Sequence, residues 1–466
     1  MPQAPETAPK PSELPMRLTR LRVKNFRSIA ELDIPLSPLT VLVGPNGSGK
    51  SNVVDALRFV RDVFARGLDQ AVMDREGMGV IQRWGTEGEG ITIGLTFSLK
   101  EYIEVEFNGV DEAGEPEFSA TGISPVVQLK YEFVVKKSAY GEAYTEKQTL
   151  ALSAEQDEFP KLTILKKGNV VSGKLGDGEW VADLGKRRFL PPSVDAPSGD
   201  TKLVDLFHFS KSLFGAKVRS SHSFTEQDLL EKEVKWWTKF REAVNRFVEE
   251  ITDSSFFTLN PTDLRQPQQI LKESPFDESG RNMAAVIRRI KRYDESNWPD
   301  LQFALRQAVA GFDTIEIESV GGYLATKLLY HTDDPTKPRA SYLGQESDGT
   351  IRMLGLLAAL YQEPAQPFIS IEEPEANIHP GALAVLAGVL DEASLRSQVL
   401  VTTHSPDMLD HLPAESFLVV EKVGDATRVG PLDAGQLESV RKRLFTPGEL
   451  LRMEGLQRQA DNDSAE

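Results

Sequence analysis

The sequence contains no cysteine, which excludes disulfides, thiolate zinc sites and cysteine nucleophiles. It has no apolar run approaching the ~18 residues that a membrane span requires. Met1–Pro15, with five prolines plus Lys10 and Glu13, lacks the apolar core of a signal peptide and reads as a disordered leader. Nor is there an excess of basic residues. Lys and Arg number 53 against 70 Asp and Glu, a net charge of −17. That balance argues against a general nucleic-acid coat but leaves room for a local basic patch. The expectation is a soluble cytoplasmic protein. Its 466 residues, 40% hydrophobic and 26% charged, suffice for one large or two to three ordinary domains with a substantial core.

The pattern along the chain is mixed. Leu18–Phe26 alternates as a strand, and Ile29–Ile34 looks like its partner. Leu39–Val43 is wholly apolar, as a strand buried on both faces should be. Ser51–Phe64 then carries Val53, Val54, Leu57, Val60 and Phe64 at helical spacing. From Ile91 to Val171 the period switches to two, with strands expected at Ile91–Leu99, Tyr102–Val110, Val126–Val135, Tyr144–Leu152 and Leu162–Leu165, an antiparallel meander. Pro191–Gly199 reads as a linker. Helices are expected at Glu231–Ile251, Asn282–Tyr293 and Leu301–Ala310, in what looks like an insertion. Strands follow at Ile315–Ser319, Tyr323–Leu329, Pro367–Ile371 and Gln398–Thr402, helices at Gly349–Tyr361 and Pro380–Ala393, and a hairpin at Phe417–Val429.

Gly44–Ser51 matches G-x4-G-K-[ST] and lies between a buried strand and a helix. The glycines let the backbone curl so that N–H groups point inward at a phosphate, and the helix aims its positive end at the same point. Asn46, Gly47, Ser48, Gly49, Lys50, Ser51 and Asn52 are the expected cradle for ATP. Lys50 would bridge the β- and γ-phosphates, and the Ser51 hydroxyl would ligate Mg²⁺. A second apolar run, Phe368–Ile371, ends in Glu372 and Glu373. Glu372 suits a Mg²⁺ ligand, direct or through water, and Glu373 suits the orientation of an attacking water. His404 follows a third buried strand, at the edge where open α/β sheets bind ligands, and reads as a γ-phosphate contact. His379 reads as a loop and helix-start residue. Ser347-Asp-Gly-Thr350 precedes an amphipathic helix. Its residue types fit a helix cap first and an anion site second.

The order P-loop, S-D-G, paired acids, then His resembles the ABC-type ATPase heads of the SMC/RecF class, and more narrowly the RecF-like ATPases that include OLD-family and Septu-type phage-defence proteins. The resemblance is carried by Val23–Ser28, Gly44–Ser51, Ser347–Arg352, Ile371–Glu375 with His379-Pro380, and Thr402–Pro406. It implies an α/β fold: an ABC-type P-loop ATPase head with a mixed sheet, an antiparallel β lobe and a helical insertion. The expected layout is a leader at 1–15, an N-terminal lobe at 16–185, the insertion at 186–310, a C-terminal lobe at 311–452 and a flexible tail at 453–466. It also implies head-to-head dimers or higher homo-oligomers, with each ATP between the P-loop of one head and Ser347 and Gly349 of another. Glu373 becomes the water-activating residue, His404 the switch histidine, and Glu375–Asn377 the D-loop. The signature is S-D-G, not the longer L-S-G-G-Q of transporters. Gln82, Gln128 and Gln148 all compete for the Q-loop position.

Phe417–Glu421 superficially resembles the start of an OLD-type nuclease domain, but the 45 residues after Glu421 are expected to be too few for one. Cutting or poisoning activity is therefore expected of a separate effector chain. DNA is a candidate partner through Arg288–Arg292, Lys186–Arg188 or Arg441–Arg443, although charge runs are most often solvated faces. The function expected is an ATPase coupling head dimerisation to DNA repair or anti-phage defence. The alternative is a slow nucleotide-gated scaffold that holds and releases a toxin or nuclease.

Overall fold

The computed structural model describes residues 16–86, 88–99, 103–110, 116–123, 127–154, 162–167, 170–175, 178–183, 243–270, 275–294, 296–334 and 338–460. The Pro191–Gly199 linker, the Lys186–Arg188 run and the first half of the Glu231–Ile251 helix lie outside them. The chain divides into two compact units, one of residues 1–35 and 56–252, the other of residues 36–55 and 253–466.

The first unit is built on an antiparallel sheet. Its strands run in the order Gly178–Asp183, Val170–Leu175, Leu162–Lys167, Ala143–Ala154, Val127–Lys137, Ile91–Leu99, Arg17–Phe26 and Ile29–Pro35. The period-two pattern explains it. In Arg17–Phe26, Leu18, Leu21 and Val23 are buried while Arg20 and Arg22 are exposed, so one face is dry and one wet. The dry face carries an aromatic cluster. Phe247, from helical residues 243–252, meets Phe64 edge-on at 5.6 Å and Phe97 at 5.2 Å. The meander is longer than expected, with Val170–Leu175 and Gly178–Asp183 as a further hairpin, and Ile103–Val110 pairs with Pro116–Ile123 in a sheet of its own.

The second unit holds a mixed sheet in the order Ala426–Pro431, Phe417–Val423, Leu39–Val43, Gln398–Thr403, Phe368–Glu372, Ser255–Phe257. The first two strands form an antiparallel hairpin, and every pairing after that is parallel. Leu39–Val43 and Gln398–Thr403 are buried at every position, as strands covered on both faces must be. Helices Met283–Tyr293, Asn297–Ala308, Asp348–Leu360 and Leu383–Arg396 contribute the apolar residues packed around them. A second sheet pairs Tyr323–Tyr330 with Phe312–Val320, Gln268–Gln269 and Arg339–Tyr342.

These units differ from the expected lobes. The P-loop segment 36–55 groups with residues 253–466 rather than with its sequence neighbours, because its strand is hydrogen-bonded on both sides by strands from the C-terminal part. Residues 253–310, expected in an insertion, belong to the same unit. Ser255–Phe257 adds a parallel strand beside Phe368–Glu372. The helix expected at Pro380–Ala393 is a 3₁₀ turn, Pro380–Ala382, followed by an α-helix, Leu383–Arg396. The tail expected to be flexible from residue 453 is tied down where it is described. The Arg458 guanidinium donates to Glu421 at 2.8 Å, and Leu432 bridges Arg458. Among the described residues no helix is long and apolar enough to cross a membrane.

Candidate functional site

The register of the mixed sheet brings three motif-bearing strand ends together. Thr402 lies opposite both Glu372 and Leu42, and Thr403 lies opposite Val43. Gly44, Glu373 and His404, each one residue beyond its strand, therefore emerge at one edge. This is the carboxyl edge of parallel strands, where open α/β sheets place ligands.

At that edge Gly44–Ser51 curls back into the helix Lys50–Arg66. Gly47 and Gly49 have φ of 77° and 108°, which side-chain-bearing residues rarely adopt. A Cβ on Gly44 would collide with the Val420 carbonyl oxygen. Lys50 is buried, and its ammonium donates to the carbonyls of Gly44 at 2.6 Å and Pro45 at 3.1 Å. Burial pushes the Lys50 pKa down, while Glu373, Glu375 and Glu372 pull it back up. The site thus sets one partly desolvated cation against three carboxylates. Asn46 is exposed, Ser48 is buried, and the Asn52 N–H closes the first turn by donating to Gly49 O at 3.0 Å.

The Ser51 hydroxyl donates to Glu372 Oε2 at 2.6 Å. Two hard oxygen donors side by side fit Mg²⁺, which needs few protein ligands when phosphates supply others. Glu373 sits in the left-handed region, φ 47°, an uncommon state for a side-chain-bearing residue that recurs where function constrains the backbone. Its N–H donates to Thr402 O at 2.9 Å, and its Oε1 lies 3.1 Å from His404 Nδ1.

Two supports lie behind these residues: Glu375, placed in the expected D-loop, and Arg352, to which the sequence assigned no role. The Arg352 guanidinium, 8% exposed, donates to the carbonyls of Leu259, Glu373 (2.7 Å) and Glu372 (3.3 Å). Burial lowers its pKa against the pull of Glu375 and Glu373. Glu375 Oε1 accepts from the Thr403 hydroxyl at 2.5 Å, and Thr403 Oγ1 accepts from the Ser405 N–H at 3.0 Å, shaping the turn that carries His404. Burial raises the Glu375 pKa, and its bond from Thr403 offsets only part of that. Arg352 stands in the S-D-G segment, but nothing in its local pattern marks it as buried.

Ser347 is exposed and caps the helix Asp348–Leu360, its hydroxyl accepting from the Thr350 N–H at 3.1 Å. Gly349 packs so closely on the Asn377 carbonyl that a Cβ would collide, and Asp348 pairs with Arg265 at 2.6 Å. The structure therefore gathers Lys50, Ser51, Glu372, Glu373 and His404. Ser347 and Gly349 contact Thr350 and Asn377 instead. His379 Nδ1 accepts from the Gly381 N–H at 3.0 Å, the helix-start role its sequence suggested. The basic runs are largely engaged internally. Lys291 donates to Ile315 O, Arg441 pairs with Glu415, and Lys442 pairs with Glu438.

Comparison with known proteins finds two ATPase families. Residues 16–173 match the family described as an AAA ATPase domain. Residues 214–410 match the family described as "AAA domain, putative AbiEii toxin, Type IV TA system". A 43-residue stretch is 54% identical to the OLD nuclease of Thermus scotoductus, covering 9% of this chain and 8% of that protein. A 96-residue stretch is 34% identical to the DNA replication and repair protein RecF of Chlorobium phaeobacteroides, covering 19% and 26%. The matches thus span about a quarter or less of either relative's length. A solved Smc head, bound in its crystal to the C-winged helix domain of ScpA, aligns over 91% of this chain and 99% of its own at 14% identity, with a TM-score of 0.45. Over these stretches the chain is similar to ATPase domains and to parts of the OLD nuclease and RecF, and its own mixed sheet with the Gly44–Ser51 loop is an α/β P-loop fold.

Proposed function

We propose that the protein binds Mg·ATP at Gly44–Ser51 and hydrolyses it, and that two copies close on the nucleotide. The observation that carries this reading is the 2.6 Å contact between Ser51 and Glu372, which joins the phosphate loop to the acid-bearing strand. Lys50 and the inward-facing N–H groups of the loop, those of Gly47 and Gly49 among them, hold the phosphates. Ser51 and Glu372 would hold Mg²⁺, which when bound would neutralise phosphate charge. Glu373 orients the attacking water and accepts its proton. His404, beside Glu373, donates to the γ-phosphate and holds the Glu373 carboxylate in place. Ser347 and Gly349 of a second copy complete the site. The solvent exposure of Ser347 supports that availability. The cycle of closing and opening serves DNA repair or anti-phage defence, with a separately encoded effector.

ATP turnover with Glu373→Gln and Lys50→Ala tests this. The first should lower kcat by about 10²–10⁴-fold while retaining nucleotide and accumulating dimer. The second should abolish binding. A Lys50→Ala protein that binds ATP normally sinks the proposal. The toxin-system description of the family matching residues 214–410 favours one second reading, the slow scaffold that sequesters an effector. Negligible wild-type turnover with intact ATP binding would select it.

A further inference from the structure

The Gly44–Ser51 loop rests on the C-terminal hairpin at two points. Val420 O abuts Gly44 so closely that no side chain fits there. On the partner strand Thr427, 1% exposed, donates its hydroxyl to the Ser48 carbonyl at 2.9 Å. A Cβ on Gly49 would collide with that same hydroxyl. Gly49 therefore serves the close approach of Thr427 as well as its own positive φ.

We infer that Thr427 is a positioning residue for the phosphate cradle, acting through the Ser48–Gly49 peptide. A trans peptide is planar, so its C=O and N–H point in opposite directions. Holding the Ser48 carbonyl against the hairpin turns the Gly49 N–H the other way, into the loop. Among the described residues neither Gly47 nor Gly49 donates a backbone hydrogen bond, which leaves both for an anion in the concave loop. The hairpin that carries Thr427 is itself fastened, by Arg458 on Glu421 and by the Leu432–Arg458 bridge. The cradle is thereby aimed by a residue 379 positions away in sequence.

This inference rests on the loop being a phosphate site, and the test separates the two. Binding of Mg·ATP and Mg·ADP to the full chain is measured by calorimetry, with the melting temperature, for wild type, Thr427→Val and Thr427→Ser. Thr427→Val keeps the shape and loses the donor. It should weaken both nucleotides about tenfold, since an N–H of this loop serves the phosphates that ADP retains. Thr427→Ser should bind within about twofold of wild type, as expected if the hydroxyl is what matters. Thr427→Val binding like wild type, or Thr427→Ser as weak as Thr427→Val, overturns the inference. Wild-type protein that binds neither nucleotide overturns the phosphate-site reading beneath it.

Discussion

The hydroxyl of Ser51 and the carboxylate of Glu372, 321 positions apart in sequence, meet at 2.6 Å. They meet because Leu39–Val43 and Phe368–Glu372 each pair in parallel with Gln398–Thr403, which sets both strand ends at one level. The contact joins the Gly44–Ser51 loop to the end of the acid-bearing strand.

Glu372→Gln should therefore separate metal from nucleotide. It keeps the size and removes the charge, so the Mg²⁺-dependent gain in ATP affinity should fall about tenfold, while the small affinity left in EDTA is retained. Titrating a fluorescent ATP analogue at graded Mg²⁺ concentrations reads this. An unchanged Mg²⁺ dependence would remove Glu372 from the metal's ligands.

Arg352→Met should cost about 2–4 kcal/mol of stability. The substitution fills similar space but leaves the carbonyls of Leu259, Glu372 and Glu373 without their donor in a buried setting. Arg352→Lys should recover only part of the loss, because one ammonium cannot span three carbonyls. Urea midpoints for the three proteins check the order.

Asp62 makes acid stability testable in the other unit. Burial would raise its pKa, but Arg61, Arg75 and Arg66, at 2.9, 2.9 and 3.0 Å, outweigh burial and hold it below its ordinary 3.8. A carboxyl depressed on folding stabilises the protein above its unfolded pKa. That stability is lost as pH falls through the lower folded value. Asp62→Asn should lose about 3–5 kcal/mol near neutral pH, because it removes the buried carboxylate charge that Arg61, Arg66 and Arg75 share, and should show a shallower loss below about pH 4. Denaturant midpoints between about pH 3 and 7 measure both; an equally steep acid limb in the variant would contradict it.

Most of the candidate site was legible because its parts are marked by local sequence patterns. A glycine-lysine-serine loop after an apolar strand, and paired acids after another, specify their geometry within a few residues. The meander was legible for the same reason, through alternation. The supports were not. Thr427 and Arg352 act on backbone carbonyls 379 and 93 positions away, and no local pattern encodes a distant carbonyl. Ser255–Phe257 has three residues, too few for a period to show. Residues 36–55 group with the C-terminal part, not with their sequence neighbours, because parallel strand pairing outweighs proximity along the chain.

The position of Leu39–Val43 between Gln398–Thr403 and Phe417–Val423 fixes an order of assembly. The ribosome releases this strand early, yet both of its sheet neighbours are made more than 350 residues later. Pairings so distant in sequence form slowly, and an apolar strand waiting for them is open to wrong partners. The Gly44–Ser51 loop thus reaches its place late in the life of the chain, complete only when synthesis has passed the C-terminal hairpin.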